Sequence, residues 1–191
     1  MRKTGSTFLA TALERALPPG SIRSTDKHYG WQWIPAEAAA LPVLAYVRNP
    51  WDWYVSWYHF NVGRETQNGI FRALSADCRN DFATTVRNAC AGLTALIGGD
   101  LYSSLFRNLV GDGLDSPRLT VGRFESFADD LEHFFSCAGV DLPESAIAEV
   151  RAMPPLNTSK RGPYRDYYDD RLRDHVERSC EPLIERFGYR F

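Results

Sequence analysis

Residues 2–7, Arg2-Lys3-Thr4-Gly5-Ser6-Thr7, put two cations, three hydroxyls and a glycine directly ahead of an apolar pattern of helical period. Such a segment offers free backbone N–H groups, the positive end of a helix dipole and a mobile ammonium group to one anion. It is not the GxxxxGK[ST] loop that binds nucleoside triphosphates, because Lys3 precedes Gly5 by two residues and no glycine stands before it. Read alone, it is equally an ordinary helix start capped by Ser6 or Thr7.

The second group lies in "YVRNPWDWYVSWY", residues 46–58. Arg48 leaves the end of an apolar run with strand character, and Ser56 follows eight residues later on the next helical segment. Ligands of open α/β sheets bind beyond the carboxyl ends of the strands. An arginine there and a serine on the following helix can grip one phosphate together, the planar guanidinium donating two hydrogen bonds. Either residue alone is commonplace on a surface; the pair at this spacing is less so.

Several elements must position these groups. Phe8, Leu9, Ala12, Leu13 and Ala16 recur at helical spacing, and Pro18-Pro19-Gly20 ends that helix. Leu41 to Val47 reads as a buried parallel strand, broken by Asn49-Pro50, and Asp52 to Phe60 as an aromatic-rich helix. Residues 61–81 read as irregular and polar, while Phe82 to Ile97 and Leu101 to Val110 read as helices. Arg118 to Phe124 is a second strand, after which Ser126 is placed to cap a helix. A loop spans 153–163, and one final helix is expected from about Tyr168 to Arg186. Strands alternating with helices predict an α/β fold with a parallel sheet flanked by helices.

At 191 residues, 44% apolar and 24% charged, the chain suits a single globular domain, 1–191. A formal net charge of -2 argues against a general nucleic-acid binder. The basic bias of residues 1–28 fits a local site for a small anion. No apolar run approaches a membrane span, and the N-terminus lacks the apolar core of a signal peptide, so a cytoplasmic protein without a membrane partner is expected. Cys78, Cys90, Cys137 and Cys180 form no CxxC pair, which predicts reduced thiols and no metal site, with a Cys78–Cys90 bridge as the alternative.

At these residues the sequence resembles the sulfotransferases. "RKTGSTFL" resembles their 5′-phosphosulfate loop, and "VRNPWDWYVSWY" their 3′-phosphate strand and helix, with the RNP-x-x-x-x-x-S pattern. "RLTVGRFESFADDLEHFF" and the closing "NTSKRGPYRDYYDDRLRDHVERSCEPLIERFGYRF" continue the likeness, while 61–117 match least. The resemblance implies a P-loop-like three-layer fold and the donor PAPS (3′-phosphoadenosine 5′-phosphosulfate), with PAP as product. It implies that Arg2, Lys3, Thr4, Gly5, Ser6 and Thr7 hold the 5′-phosphosulfate, Lys3 also steadying the leaving group. Arg48 and Ser56 would hold the 3′-phosphate, and Lys160, Arg161 and Gly162 would close over it. In that family a buried strand precedes the phosphate loop, and only Met1 and Arg2 stand there in this sequence, so a missing or truncated first strand is expected.

Some carbohydrate sulfotransferases place a catalytic histidine before the 3′-phosphate strand. Of His28, His59, His133 and His175, His28 lies there, and an imidazole of pKa about 6.5 suits deprotonation of a hydroxyl. Glu37 and Asp26 are the other candidate bases. Sugars stack on indoles, so Trp31 or Trp33, with Glu37, would face a saccharide or other small acceptor, while at least two of the five tryptophans should be core. A donor without a polyphosphate chain gives no obvious role to a metal. The alternatives are a non-catalytic nucleotide-binding relative and, on weaker grounds, an ATP-using phosphotransferase.

Overall fold

A computed structural model describes residues 6–18, 20–21, 30–91, 99–154 and 161–191. The chain forms two compact units, Met1–Val47 with Asn108–Asn157 and Arg48–Arg107 with Thr158–Phe191.

The first unit carries the sheet. Strands β1 (Val43–Val47) and β2 (Leu119–Arg123) pair in parallel, Val43 opposite Leu119 and Val47 opposite Arg123. Tyr46 faces Gly122 across the strands, and a Cβ on Gly122 would come within 2.8 Å of the Tyr46 ring. Glycine is required there because a Cβ would collide with the Tyr46 ring and press on Asp130 Cβ. That ring stacks on Phe127 at 4.4 Å, and its hydroxyl donates to the Phe127 carbonyl at 3.0 Å.

Around this pair Ala12, Leu131, Val150 and Met153 close a core, with Phe8, Leu9 and Leu13 packed against it. They come from α1 (Ser6–Ala16), α6 (Phe127–Cys137) and α7 (Glu144–Ala152), with Met153 just past the end of α7. Ser126 does sit at the N-cap of α6, but its hydroxyl donates to Asp130 at 2.8 Å instead of accepting from the helix backbone. Asp130 is the busier group, since it also accepts from Arg123 N at 2.6 Å.

The second unit is helical, with α2 (Pro50–Val62), α3 (Gly69–Leu74), α4 (Phe82–Ala91), most of α5 (Leu101–Val110), α8 (Asp170–Ser179) and α9 (Glu181–Phe187). Trp51, Trp53, Tyr54, Val55 and Trp57 of α2 are buried, so the helix is apolar around most of its girth and belongs to a core. Trp53 lies parallel to Trp57 at 5.8 Å, and Trp57 meets Phe71 edge-on at 5.1 Å.

Two expectations need correction here, and another can be followed only in part. The stretch 61–81 is not wholly irregular: Asn68 accepts from Phe71 N at 2.7 Å and starts α3. The Phe82 helix is described only to Ala91. The last helix is two, because Pro182 has no N–H to continue the ladder and the chain breaks at Cys180.

After α3 the chain turns through Ala76, Asp77 and Cys78, with φ of 49°, 56° and 64°, consecutive residues in the left-handed region. Asp77 N bonds Arg72 O at 2.8 Å, Cys78 N bonds Ser75 Oγ at 3.0 Å and Asn80 N bonds Ser75 O at 2.9 Å, which hold the turn. All four cysteines are free.

Candidate anion-binding site

The polar face of α2 is short and specific. Asn49 caps the helix, its side-chain oxygen accepting from Trp51 N at 3.0 Å and Asp52 N at 3.3 Å, with Pro50 at the first helical position. From Arg48, the residues at steps of four are Asp52 and Ser56, which a helix stacks on one side.

Arg48 is buried, and its backbone is pinned twice. Its N–H donates to the Tyr102 hydroxyl at 2.8 Å, and that hydroxyl donates back to the Arg48 carbonyl at 2.5 Å. Arg48 Nε and Nη2 both reach Asp52 Oδ2, at 2.8 and 2.6 Å, and Nη1 reaches Ser56 Oγ at 3.3 Å. Arg161 Nη2 pairs with the other oxygen of the same carboxylate, Asp52 Oδ1.

Gly162 N donates to the Tyr167 hydroxyl at 3.2 Å, and the Tyr167 ring meets His59 edge-on at 4.9 Å. His59 Nε2 is buried without a hydrogen-bond partner among the described residues, and burial, then the charge of Arg161, pushes this imidazole below its ordinary value. The buried Tyr168 hydroxyl donates to the Trp51 carbonyl at 2.9 Å. Burial raises its pKa first and the nearby thiols and Asp52 raise it further, against Arg161, so it stays a neutral phenol.

Among the described residues, two guanidinium groups meet one carboxylate in a poorly solvated place, which leaves one positive charge over. Ser56 Oγ accepts from Arg48, which leaves its own proton for an incoming oxygen. The set suits a phosphate monoester held by charge-assisted hydrogen bonds. A surface cavity of about 420 Å³ in the first unit has the opposite character, being lined by Asp129, Glu132 and Asp141 beside His133. Among the described residues no group of His, Cys, Asp or Glu side chains is arranged to hold a metal ion, and no helix is long and apolar enough to cross a membrane.

Of the residues singled out in the sequence, the structure brings together Arg48, Ser56 and Arg161, while Gly162 follows Arg161 as an exposed residue bonded to Tyr167. Ser6 and Thr7 begin α1 in the first unit. Trp31 and Trp33 lie in a single 3-10 turn, Trp31–Trp33, and exposed Glu37 in the next, Ala36–Ala38. The Trp31 ring lies under the Arg118 guanidinium at 4.7 Å and against Gly113, where a Cβ would come within 2.2 Å of it. Trp33 is 64% exposed, whereas Trp51, Trp53 and Trp57 are core. Arg2, Lys3, Thr4, Gly5, Asp26, His28 and Lys160 lie outside the described residues.

Sequence reasoning missed the organising roles of Asp52 and Tyr102. The four-residue spacing could have revealed Asp52. Nothing local marks Tyr102, which is 54 residues from the arginine it holds.

The fold matches that of a mouse sulfotransferase, SULT7A1, in a crystal structure complexed with PAP. The TM-score is 0.65 at 14% identity, over 96% of this chain and 81% of that one. No family model matches the sequence, and no curated protein matches it either. The chain therefore has a sulfotransferase-like fold, a helix-rich α/β arrangement in which the described sheet is two parallel strands.

Proposed function

We propose that residues 1–191 act as one catalytic domain, a sulfotransferase that takes a sulfuryl group from PAPS and delivers it to a hydroxyl, or alternatively an amine, of a saccharide or other small acceptor. The observation that carries this reading is the convergence of Arg48, Ser56 and Arg161 on one face of α2. It is the donor set a 3′-phosphate needs, within a fold like that of a PAP-bound sulfotransferase.

In this reading Arg48 and Ser56 bind the 3′-phosphate, and Lys160, Arg161 and Gly162 close over it. Residues 2–7 hold the 5′-phosphosulfate through backbone N–H groups at the start of α1. Lys3 neutralises charge on the bridging oxygen as its bond to sulfur breaks; that oxygen keeps the electron pair and leaves as part of PAP. His28 takes the proton of the acceptor hydroxyl as its oxygen bonds to sulfur. Trp31 or Trp33, with Glu37, contacts the acceptor.

The test is a thermal-shift titration with PAP and ATP, paired with transfer of labelled sulfuryl from PAPS to a saccharide panel. PAP at a hundredfold excess over Kd should stabilise the protein by about 2.7 kcal/mol. Arg48→Ala should remove most of that gain. Equal stabilisation by ATP and PAP, unchanged in Arg48→Ala, would overturn the 3′-phosphate assignment. PAP binding without transfer to any acceptor would favour a non-catalytic nucleotide binder.

A further inference from the structure

We infer that Asp52 is a positioning residue that presets the two guanidinium groups for the nucleotide's 3′-phosphate, an inference that rests on the reading of the site just given. Its two oxygens divide the work. Oδ2 takes the Nε and Nη2 edge of Arg48, which fixes the guanidinium plane and turns Nη1 toward Ser56. Oδ1 takes Arg161, which arrives from 109 residues further along the chain. The carboxylate is therefore a direct tie between α2 and Arg161.

The surroundings make this more than an incidental ion pair. The side chains of Arg48, Asp52 and Arg161 are 11, 18 and 14% exposed, so solvent screens them little. Asp52 is flanked on α2 by buried Trp51 and Trp53, where an apolar residue would fit the same helix at lower desolvation cost. Two guanidinium groups brought to one place repel each other, and a phosphate can hold both only once it has arrived. Asp52 holds them beforehand, so the phosphate meets donors already aimed and loses less freedom in binding.

Asp52 also acts in the opposite direction, because a carboxylate repels an incoming phosphate. The inference is that presetting outweighs this repulsion, and the sign can be measured. PAP and 5′-AMP differ only by the 3′-phosphate, so the ratio of their affinities reads the grip on that group. A general loosening of the fold would weaken both nucleotides and leave the ratio unmoved.

The experiment titrates the full chain with PAP and with 5′-AMP by calorimetry, in wild type, Asp52→Asn, Arg161→Met and the double variant. Asp52→Asn should lower the PAP-to-AMP preference about tenfold or more, with AMP affinity held within about twofold. Arg161→Met should lower it similarly, and the double variant should be little worse than the weaker single one, because the two residues act as a unit. An Asp52→Asn preference that is unchanged or increased overturns the inference, as does a double variant showing the full product of the single losses. Arg161→Met keeps the test decisive if Asp52→Asn does not fold, since an unchanged ratio there also overturns it. A wild-type protein with no preference for PAP removes the functional reading itself, and this inference with it; a preference that survives Asp52→Asn removes only the role of Asp52.

Discussion

At the scale of single residues, the Arg48 backbone is held as firmly as its side chain. Tyr102→Phe keeps the ring but strips partners from a buried N–H and a buried C=O. Each such loss costs about 1–3 kcal/mol. Urea unfolding should show a destabilisation of that order, and PAP should bind more weakly to the folded variant. Lys3 and His28 divide differently under the proposed chemistry. Lys3→Ala should lower turnover by about 10²–10³ while keeping much of the PAP affinity, because the Lys3 interaction strengthens as the S–O bond breaks. His28→Ala should leave PAP affinity nearly intact and remove the acidic limb of the pH–rate profile. If turnover persists in His28→Ala, the base is another group, and Glu37 and Asp26 are next.

At the scale of elements, α2 positions the site, and its start is a small device of its own. Asn49 caps two backbone N–H groups and also donates from Nδ2 to the Arg190 carbonyl at 3.3 Å. Asn49→Ala should cost about 1 kcal/mol through the cap alone. The effect on PAP affinity should be smaller than that of Arg48→Ala, since Tyr102 still holds the backbone of residue 48. Much of this element was legible: the apolar run to Val47, Asn49-Pro50 as a break and the Arg48–Ser56 spacing all lie in one continuous stretch. The same reading failed at α3, where one cap, Asn68, starts a helix too short to show a period. It failed again at α8 and α9, although Pro182 was in plain view, because the apolar pattern runs across the break. Partners brought in from far along the chain, Tyr102 to Arg48 and Arg161 to Asp52, could not be read, since no local spacing encodes them.

At the scale of the whole molecule, the relevant quantity is global stability and its response to pH. Burial and the charge of Arg161 hold His59 below its ordinary 6.5 in the folded protein. The unfolded chain therefore takes up this proton first as the pH falls. The contribution of His59 is fully present above about pH 6.5 and is lost as pH drops from there through the folded-state value. Melting temperatures of wild type and His59→Gln from pH 7.5 to 5 should diverge in that window, wild type losing more. Parallel curves would mean that His59 titrates alike in both states. The fold is like that of the mouse protein, with a TM-score of 0.65 at 14% identity. The course of the backbone is what the two share, and within the first unit the packing is particular. Gly113→Ala would drive a Cβ into the Trp31 ring, and the rearrangement should cost about 1–3 kcal/mol in a melt.

The turn at Ala76, Asp77 and Cys78 has a consequence in chirality. Three L-residues there trace a path natural to their mirror images, at a cost of roughly 1–2 kcal/mol each. A chain assembled by chemical ligation with D-alanine at position 76 should therefore melt higher than the all-L protein, the reverse of what D-residues do almost anywhere else in a fold. Ala76→Gly should move the same way by less, because glycine relieves the clash but adds freedom to the unfolded chain. A lower melting temperature for the D-alanine protein would mean that its methyl group, now on the other side of the backbone, meets something worse than the strain it relieves.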